Sequence, residues 1–215
     1  MDRLPWACRG RYGPPAVVSK GRRMRITGGT WRGRRLRTLP GKEVRPTSDK
    51  VRQALFNILG ARVTDAAVLD LFAGSGSLGL EALSRGAARA TFVETGRRAL
   101  EVIRRNVETL ACEGRVTVRR IDLLASPAPL RELDGPFDVV FIDPPYRVTE
   151  TVDPGSELGT VLEMLWRDGV AGKGGLVVLE HDRRATLSEA WRDFRVSDTR
   201  TWGDTSVSFF VGKES

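Results

Sequence analysis

The chain has 215 residues, of which 40% are hydrophobic and 29% are charged, and its formal net charge is +8. This composition excludes a collagen-like or wholly disordered chain and fits a globular protein of about one domain. Its apolar runs are far shorter than the ~20 residues that cross a bilayer, so we expect no membrane association. Two cysteines, Cys8 and Cys112, are too few for a disulfide framework or a zinc site, which favours a cytoplasmic protein without a structural metal.

The positive charge is concentrated near the N-terminus. Residues 1–52 contain 15 of the 35 basic residues and only three acidic residues, whereas the rest of the chain has a small acidic excess. Clustered surface cations release counterions from a phosphate backbone, so this segment predicts a polyanionic partner. A solvated segment of biased composition is the alternative, and charge alone does not decide between the two.

The first 60 residues divide into two parts. Residues 1–23 combine prolines and glycines with no sustained periodicity, which predicts a disordered basic tail. Residues 25–39 contain two short strand-like pieces separated by glycines, and this pattern predicts a basic β-hairpin. A helix capped by Thr47 or Ser48 is then expected to run to about Leu59. We expect three units in all, namely the tail (1–23), the hairpin and helix (24–60) and a main domain (61–215).

From residue 67 onward, short apolar strands alternate with amphipathic helices. This alternation is typical of a doubly wound, parallel sheet whose strands are buried on both faces. The predicted strands span 68–72, 90–94, 116–122, 137–143 and 175–181, and the predicted helices span 77–85, 97–111, 129–133, 156–168 and 186–190. Two last strands, 194–201 and 206–212, are joined by so few residues that they must pair antiparallel. The sequence therefore predicts an α/β, Rossmann-like fold with a mostly parallel, seven-stranded sheet and an antiparallel C-terminal hairpin.

A glycine-rich turn follows the first of these strands. The segment DLFAGSGSLG begins at Asp70, and its Gly74 and Gly76 permit a tight turn and a close approach of the backbone to a ligand. Glu94 ends the second strand and is placed to bind ribose hydroxyls. The same pattern serves NAD and S-adenosylmethionine, so the turn does not choose between these cofactors.

The sequence Asp-Pro-Pro-Tyr at residues 143–146 follows the fourth strand of the parallel set. Its prolines lack N–H groups and leave carbonyls free to accept, Asp143 supplies a carboxylate and Tyr146 an aromatic face. These groups suit a planar ring that bears an amino group. A simple strand-ending turn is the alternative, but it does not explain why the motif shares a sheet edge with Asp70 and Glu94. The combination favours a methyltransferase over a dehydrogenase.

Four blocks of the sequence, in this order, resemble the RsmD-type ribosomal RNA guanine-N2 methyltransferases of bacteria. They are MRITGGTWRGRRL, RPTSDKVRQALFNIL, LDLFAGSGSLGLEALSRGA and DVVFIDPPY. The resemblance begins near Met24, with Lys50 and Gln53 where the family often has Arg and Glu. It implies a class I, S-adenosylmethionine-dependent enzyme that methylates the exocyclic amine of a guanine in small-subunit (16S) rRNA, on an assembling ribosomal particle.

The resemblance also implies roles for individual residues. The implied cofactor-binding residues are Asp70, Phe72, Gly74, Gly76, Glu94, Asp122 and Leu123, and the implied catalytic residues are Asp143, Pro144 and Tyr146. Asp70 and the glycine turn would hold the methionine portion of the cofactor, and Asp122 would hold its adenine amino group. An acid at the entry to a loop is the alternative for Asp122. We expect no metal site, and we expect His181, the only histidine, to be structural.

The implied RNA-binding residues are Trp31, Arg32, Arg34, Arg35, Arg37, Arg45 and Arg52. The arginines of the hairpin would bind phosphates, and Trp31 would offer a stacking surface. Two alternatives stay open, because Trp31 could instead cover the sheet edge and Arg52 could pair with an acid in the core.

Two other functions remain possible from the sequence. A DNA adenine-N6 or protein glutamine methyltransferase shares the Asp-Pro-Pro-Tyr motif, which is not specific to the rRNA enzymes, but it does not explain the basic hairpin. A non-enzymatic RNA-binding assembly factor with a vestigial pocket is the second alternative, and it requires that the pocket fail to bind the cofactor.

Overall fold

The computed structural model describes residues 24–39 and 49–213. Its strands are β1 (Met24–Arg25), β2 (Arg35–Leu36), β3 (Ala67–Leu71), β4 (Arg89–Glu94), β5 (Val116–Arg120), β6 (Phe137–Ile142), β7 (Thr151–Val152), β8 (Ala171–Asp182), β9 (Thr186–Leu187), β10 (Phe194–Trp202) and β11 (Thr205–Gly212). Its helices are α1 (Asp49–Leu59), α2 (Ser77–Ser84), α3 (Arg97–Leu110) and α4 (Glu157–Arg167), with short 3-10 turns at Gly60–Val63, Glu113–Arg115, Ala128–Glu132 and Tyr146–Val148. The predicted tail and the predicted capping residues Thr47 and Ser48 lie outside the described residues.

Within the described residues, the main sheet has seven strands in the order β10-β11-β8-β6-β3-β4-β5. Five of them, β3, β4, β5, β6 and β8, are mutually parallel, and β11 pairs antiparallel with both β8 and β10. This order confirms the predicted α/β, mostly parallel sheet with an antiparallel C-terminal hairpin. No helix in the described parts of the chain has the length and apolar character needed to span a membrane.

The sheet has a hydrophobic core on each face, because successive side chains of a strand point to opposite sides. In β3, Val68 packs into the core that α1, α2 and α3 share, and Leu69 packs into the core that α4 covers. α3 is strongly amphipathic and buries Ile103 and Val107 on its inner face. The alternation of strands and helices therefore follows directly from the periodicity of the apolar residues.

The basic hairpin forms as predicted, with β1 and β2 paired antiparallel. It lies against the end of α2, where the backbone N–H of Thr30 donates to the carbonyl of Ser84. Gly29 has a φ of +75°, and a Cβ atom there would lie 1.8 Å from the same carbonyl oxygen, so only glycine fits. Met24, Ile26 and other apolar residues of the hairpin join the core that α2 and α3 share. The division into units at 24–60 and 61–215 stays a prediction.

Two predictions about secondary structure are wrong. Residues 186–190 do not form a helix, because Thr186–Leu187 is the strand β9, paired in parallel with β7. The strand expected at 116–122 ends at Arg120 and is not buried on both faces. It is an edge strand, and three of its five residues are exposed, because nothing in the described chain pairs with its outer side. Arginine and threonine on its exposed face fit that position.

Candidate active site

A cavity of about 710 Å³ opens at the carboxyl ends of β3, β4 and β6 and beside the loop after β5. It is lined by residues of the glycine turn, the ends of these strands, the Asp-Pro-Pro-Tyr segment and the hairpin: Met24, Leu39, Phe72, Ala73, Gly74, Ser75, Ser77, Val93, Glu94, Thr95, Gly96, Arg98, Ala99, Ile121, Asp122, Leu123, Leu124, Ala125, Asp143, Pro144, Pro145, Tyr146, Arg147 and Glu157. An open parallel sheet binds its ligands at this edge. The cavity thus brings together most of the residues that the sequence singles out for cofactor binding and catalysis.

The glycine turn between β3 and α2 adopts the tight path that its sequence predicts. Gly74 and Gly76 have φ values of +54° and +78°, and the Gly76 N–H donates to the carbonyl of Ala73. Phe72 also has a positive φ, +57°, although it is not a glycine. Positive φ in a bulky residue is a strained conformation that tends to occur at functional sites. Phe72 and Gly74 line the cavity, whereas Gly76 does not.

Glu94 at the end of β4 is held in place by three backbone N–H groups. Its Oε2 accepts from Gly74 at 2.9 Å, and its Oε1 accepts from Thr95 at 2.9 Å and from Gly96 at 2.8 Å. The carboxylate therefore connects the glycine turn to the loop before α3, and it also lines the cavity. Backbone N–H groups of the glycine turn and of the loop before α3 hold the two carboxylate oxygens in place. A carboxylate oxygen can accept more than one hydrogen bond, so Glu94 can still accept from a ligand.

Asp70 lies beneath the glycine turn rather than in the cavity wall. Its side chain is 1% exposed, and Oδ2 accepts from the backbone N–H of Gly79 in α2 at 2.9 Å. Burial raises the pKa of Asp70 to about 8, the Gly79 hydrogen bond lowers it, and the nearby carboxylate of Glu94 raises it further. Asp70 is not among the residues that line the cavity, so it supports the turn from behind.

Asp122 and Leu123 follow β5 and both line the cavity. Asp122 is exposed, and its Oδ1 accepts from the backbone N–H of Ala125 at 3.3 Å. Asp122 therefore closes the local turn, which agrees with the alternative that it is an acid at the entry to a loop. It also lines the cavity. Leu123 is buried and contributes apolar surface to the cavity wall.

The Asp-Pro-Pro-Tyr segment continues from the end of β6 into the same cavity. The backbone N–H of Asp143 donates to the carbonyl of Leu71 at 3.4 Å, so the segment leaves the sheet beside the glycine turn. Pro144 is buried and Tyr146 is half-buried. The Tyr146 hydroxyl lies 3.5 Å from Oγ1 of Thr205 in β11. The antiparallel C-terminal hairpin thus helps to position the aromatic ring.

The arginines of the hairpin are directed into solvent. Arg32, Arg34, Arg35 and Arg37 are all exposed. Trp31 is half-buried and packs against the core, and the guanidinium of Arg115 lies 5.3 Å from the centre of its indole ring. A cation over the ring is a favourable contact that occupies one of its faces. The structure therefore favours the alternative for Trp31, in which it covers the sheet edge. Arg45 lies outside the described residues.

The prediction that Arg52 binds RNA is wrong. Its side chain is 0% exposed, and it forms ion pairs with Glu81 at 3.3 Å and with Asp49 at 2.9 Å. Its guanidinium also donates to the backbone carbonyl of Arg25 in β1. A buried carboxylate needs a paired cation, and Arg52 supplies it, so its charge is not available to phosphates.

The sequence did not point to several of the residues that line the cavity, among them Met24, Leu39 and Arg98. Met24 and Leu39 belong to the hairpin, which was expected to bind RNA and not to form a wall of the cofactor pocket. Neither residue carries a local signal for this role, since both are ordinary apolar residues of a short hairpin. His181 is structural as expected, because it is buried and its ring nitrogens contact Asp182 and Ser208.

Comparison with known proteins identifies the family. A family model described as "Conserved hypothetical protein 95" matches residues 24–211. The Bacillus subtilis (strain 168) protein named "Putative rRNA methyltransferase YlbH" is 33% identical over 187 residues, which cover 87% of this chain and 98% of that protein. The "Ribosomal RNA small subunit methyltransferase D" of Escherichia coli (strain K12) is 44% identical over 124 residues, which cover 58% of this chain and 61% of that protein.

A solved structure has a similar fold over nearly its whole length. The protein described as "Putative methyltransferase yhhF from Escherichia coli" superposes with a TM-score of 0.71 at 34% sequence identity, and the match covers 90% of this chain and 99% of that one. The RsmD-type resemblance of the four sequence blocks is therefore confirmed. Because the family model extends from the first strand to the last, the chain belongs to the conserved hypothetical protein 95 family.

Proposed function

We propose that this protein transfers a methyl group from S-adenosylmethionine to the exocyclic N2 amine of a guanine in small-subunit ribosomal RNA. The observation that carries this proposal is the shared cavity, in which Glu94 and the Asp-Pro-Pro-Tyr segment lie at one edge of the parallel sheet. The names of the two similar proteins, "Putative rRNA methyltransferase YlbH" and "Ribosomal RNA small subunit methyltransferase D", support the reaction and the substrate class.

The residues of the cavity fit the cofactor. Its volume is within the usual range for small-molecule sites. The fixed carboxylate of Glu94 is suited to accept from vicinal ribose hydroxyls, Leu123 and Val93 offer apolar surface to a planar ring, and Asp122 offers an acceptor to an amino group. When bound, S-adenosylmethionine supplies a methyl group on a positively charged sulfonium. Asp70 acts through the turn that it supports, and its contribution to holding the methionine portion is indirect.

The Asp-Pro-Pro-Tyr segment activates the target amine. The lone pair of a guanine N2 is delocalised into the ring, so this nitrogen is a weak nucleophile. The carboxylate of Asp143 and the carbonyl of Pro144 accept its two hydrogens and favour a pyramidal nitrogen, whose lone pair can attack in line. Tyr146 stacks on the base, which must be extruded from the RNA to reach the site. The bound cofactor would leave as neutral S-adenosylhomocysteine, and the proton that the methylated nitrogen loses would pass to the carboxylate of Asp143, so the proposal requires no metal.

The exposed arginines of the hairpin bind the RNA backbone beside the site. Arg32, Arg34, Arg35 and Arg37 supply cations without sequence preference, so they position the substrate and do not choose the base. The substrate is proposed to be an assembling ribosomal particle, in which a structured rRNA presents one guanine. Such a substrate agrees with the cytoplasmic location expected from the sequence.

Methyl-transfer assays on separate substrates test this function. The full chain is incubated with radiolabelled S-adenosylmethionine and with small ribosomal subunits, naked 16S rRNA, duplex DNA or a release-factor protein. We expect label in the RNA of the small subunit, recovered as N2-methylguanosine after digestion. Label only in DNA or only in protein would assign the activity to another enzyme of the Asp-Pro-Pro-Tyr group, and failure to bind S-adenosylmethionine by calorimetry would indicate a non-enzymatic RNA-binding protein.

The choice between naked rRNA and the particle follows from the same assay, since the two substrates are compared directly. Mass mapping of small-subunit rRNA from cells that lack the protein would then identify the nucleotide. A single missing methyl group on one guanine is the expected result, and an unchanged map would overturn the proposal.

A further inference from the structure

Asn106, in the middle of α3, is a buried polar residue that the proposed mechanism does not use. Its side chain is 1% exposed and all of its hydrogen-bonding groups have partners. Oδ1 accepts from the backbone N–H of Arg37 at 2.8 Å, and Nδ2 donates to the carbonyl of Arg37 at 3.1 Å and to the carbonyl of Ser75 at 2.9 Å. A buried amide that makes three hydrogen bonds fixes the backbone segments around it.

The two segments that Asn106 joins belong to two different proposed sites. Arg37 directly follows β2 and is one of the exposed arginines of the hairpin, so its side chain faces solvent while Asn106 holds its backbone. Ser75 is the middle residue of the glycine turn and lines the cofactor cavity. One side chain therefore links the proposed RNA-binding element to the proposed cofactor-binding turn.

A second contact joins the same two segments from the other strand of the hairpin. The Ser75 hydroxyl donates to Sδ of Met24 in β1 at 3.7 Å, and Met24 itself lines the cavity. Leu39, two residues after Arg37, lines it as well. The hairpin therefore contributes part of the cavity wall, where one ligand can contact both the hairpin and the glycine turn.

We infer that Asn106 is a positioning residue through which cofactor binding and RNA binding reinforce each other. This inference rests on the proposed function. Each ligand that binds must restrict the motion of the turn, the hairpin or both, and a ligand that finds them already ordered loses less conformational entropy. Coupling between two sites is reciprocal, so the cofactor raises the affinity for RNA by the same factor by which RNA raises the affinity for the cofactor.

A coupling role and a purely structural role of Asn106 differ in one measurable quantity. This quantity is the ratio of the RNA affinity with bound cofactor to the RNA affinity without it. If Asn106 only stabilises the fold, its replacement lowers the stability and leaves the ratio of RNA affinities, with and without cofactor, unchanged. If Asn106 couples the sites, its replacement lowers this ratio while both ligands still bind. Asn57, the other asparagine of the chain, is exposed on α1 and provides a matched control.

The test measures the dissociation constant for small ribosomal subunits from cells that lack the protein, with and without saturating S-adenosylhomocysteine. We expect the demethylated cofactor to tighten binding by about fivefold or more in the wild-type chain and in Asn57→Ala. In Asn106→Ala this ratio is expected to fall to less than about half of the wild-type value, because the contact between Ser75 and Met24 still joins the two segments. A ratio near one in the wild type, or an unchanged ratio in a folded Asn106→Ala, would overturn the inference.

Hydrogen exchange on the wild-type chain keeps the inference testable if Asn106→Ala does not fold. Saturating S-adenosylhomocysteine is expected to slow amide exchange in the peptide that covers residues 24–39, although only Met24 and Leu39 of that segment line the cavity. Unchanged exchange throughout the segment would overturn the coupling. Failure of S-adenosylhomocysteine to bind at all is a different result, because it rejects the proposed function together with this inference.

Discussion

The carboxyl group of Asp70 accepts a hydrogen bond from the backbone N–H of Gly79 at 2.9 Å, across the turn that forms the floor of the cofactor cavity. This contact ties the end of β3 to the first turn of α2 and so closes the glycine turn from behind. It also places an acidic group where water does not reach it, and burial raises its pKa to about 8. Replacements at Asp70 and at Gly79 should therefore both change the free energy of unfolding.

Stability should fall with rising pH because of Asp70. The folded-state pKa of about 8 is above the unfolded value of 3.8, so the folded chain binds more protons between these two pH values. Within this window the carboxyl group contributes stability at low pH that is lost as the pH rises towards 8, by up to about 1.4 kcal/mol per pH unit. Asp70→Asn keeps an acceptor for Gly79 and cannot ionise. Urea unfolding at pH 5, 6, 7 and 8 should show a shallower decline for Asp70→Asn than for the wild type, and parallel curves would reject this role.

Gly79→Ala should destabilise the protein although alanine favours helices. A Cβ atom at Gly79 would lie 2.4 Å from a ring carbon of Phe92 and 3.2 Å from Oδ2 of Asp70. Phe92 is fully buried in β4, so its ring has little room to shift, and such overpacking costs about 1–3 kcal/mol. Gly114→Ala is the control, because a Cβ atom there meets nothing within 4 Å. Equal unfolding free energies for the two variants would contradict this expectation.

Arg52→Ala should lower the free energy of unfolding by about 3 kcal/mol, because it leaves the buried carboxylate of Glu81 with one cation fewer. Arg85 still pairs with Glu81 at 2.8 Å, which keeps the loss from being larger. Arg62→Ala, at an exposed arginine, should change the stability by less than about 0.5 kcal/mol. Chemical denaturation of the three proteins measures this difference. A small effect at Arg52 would show that the buried ion pair contributes little.

Asp143→Ala should abolish most of the methyl transfer and leave cofactor binding intact. Loss of one acceptor for the target amine is worth about 3 kcal/mol in the transition state, or roughly a hundredfold in rate. Single-turnover methylation of small ribosomal subunits measures the rate, and calorimetry with S-adenosylhomocysteine measures the binding. Asp134→Ala, at an exposed aspartate outside the cavity lining, is the control. Near-normal turnover by folded Asp143→Ala would exclude the proposed role of its carboxylate.

Replacement of Arg32, Arg34 and Arg35 together by alanine should weaken RNA binding and leave cofactor affinity unchanged. If all three contact phosphates, the slope of log affinity against log salt should decrease by up to roughly three. A matched triple variant replaces Arg184, Arg192 and Arg195, which are also exposed. Deletion of residues 1–23 should matter less than the hairpin variant. An unchanged slope for the hairpin variant, with binding abolished by the deletion, would place the RNA contacts in the tail.

Local pattern in the sequence was sufficient for most of the elements and for the position of the site. The apolar strands that begin near residues 68, 90, 137 and 175 can be recognised from runs of buried residue types, and the turns that follow the first three contain glycine or proline. Parallel strands end at a common edge, so the sequence alone assigns Glu94 and Asp143 to one edge of the sheet. The two-residue strand β9 was missed because so short a segment carries no periodicity.

Only the tertiary structure decided which charged and aromatic residues face solvent. Arg35 and Arg52 look alike in a basic segment, yet Arg35 is exposed while Arg52 is buried against Glu81, 29 residues further along the chain. One face of the Trp31 ring is likewise covered by the guanidinium of Arg115, which belongs to the turn before β5. The burial of a side chain depends on partners that are distant in sequence, and no local pattern contains them. For the same reason the sequence determined that this protein has a glycine turn and a basic hairpin, whereas the fold alone decided that Asn106 joins them.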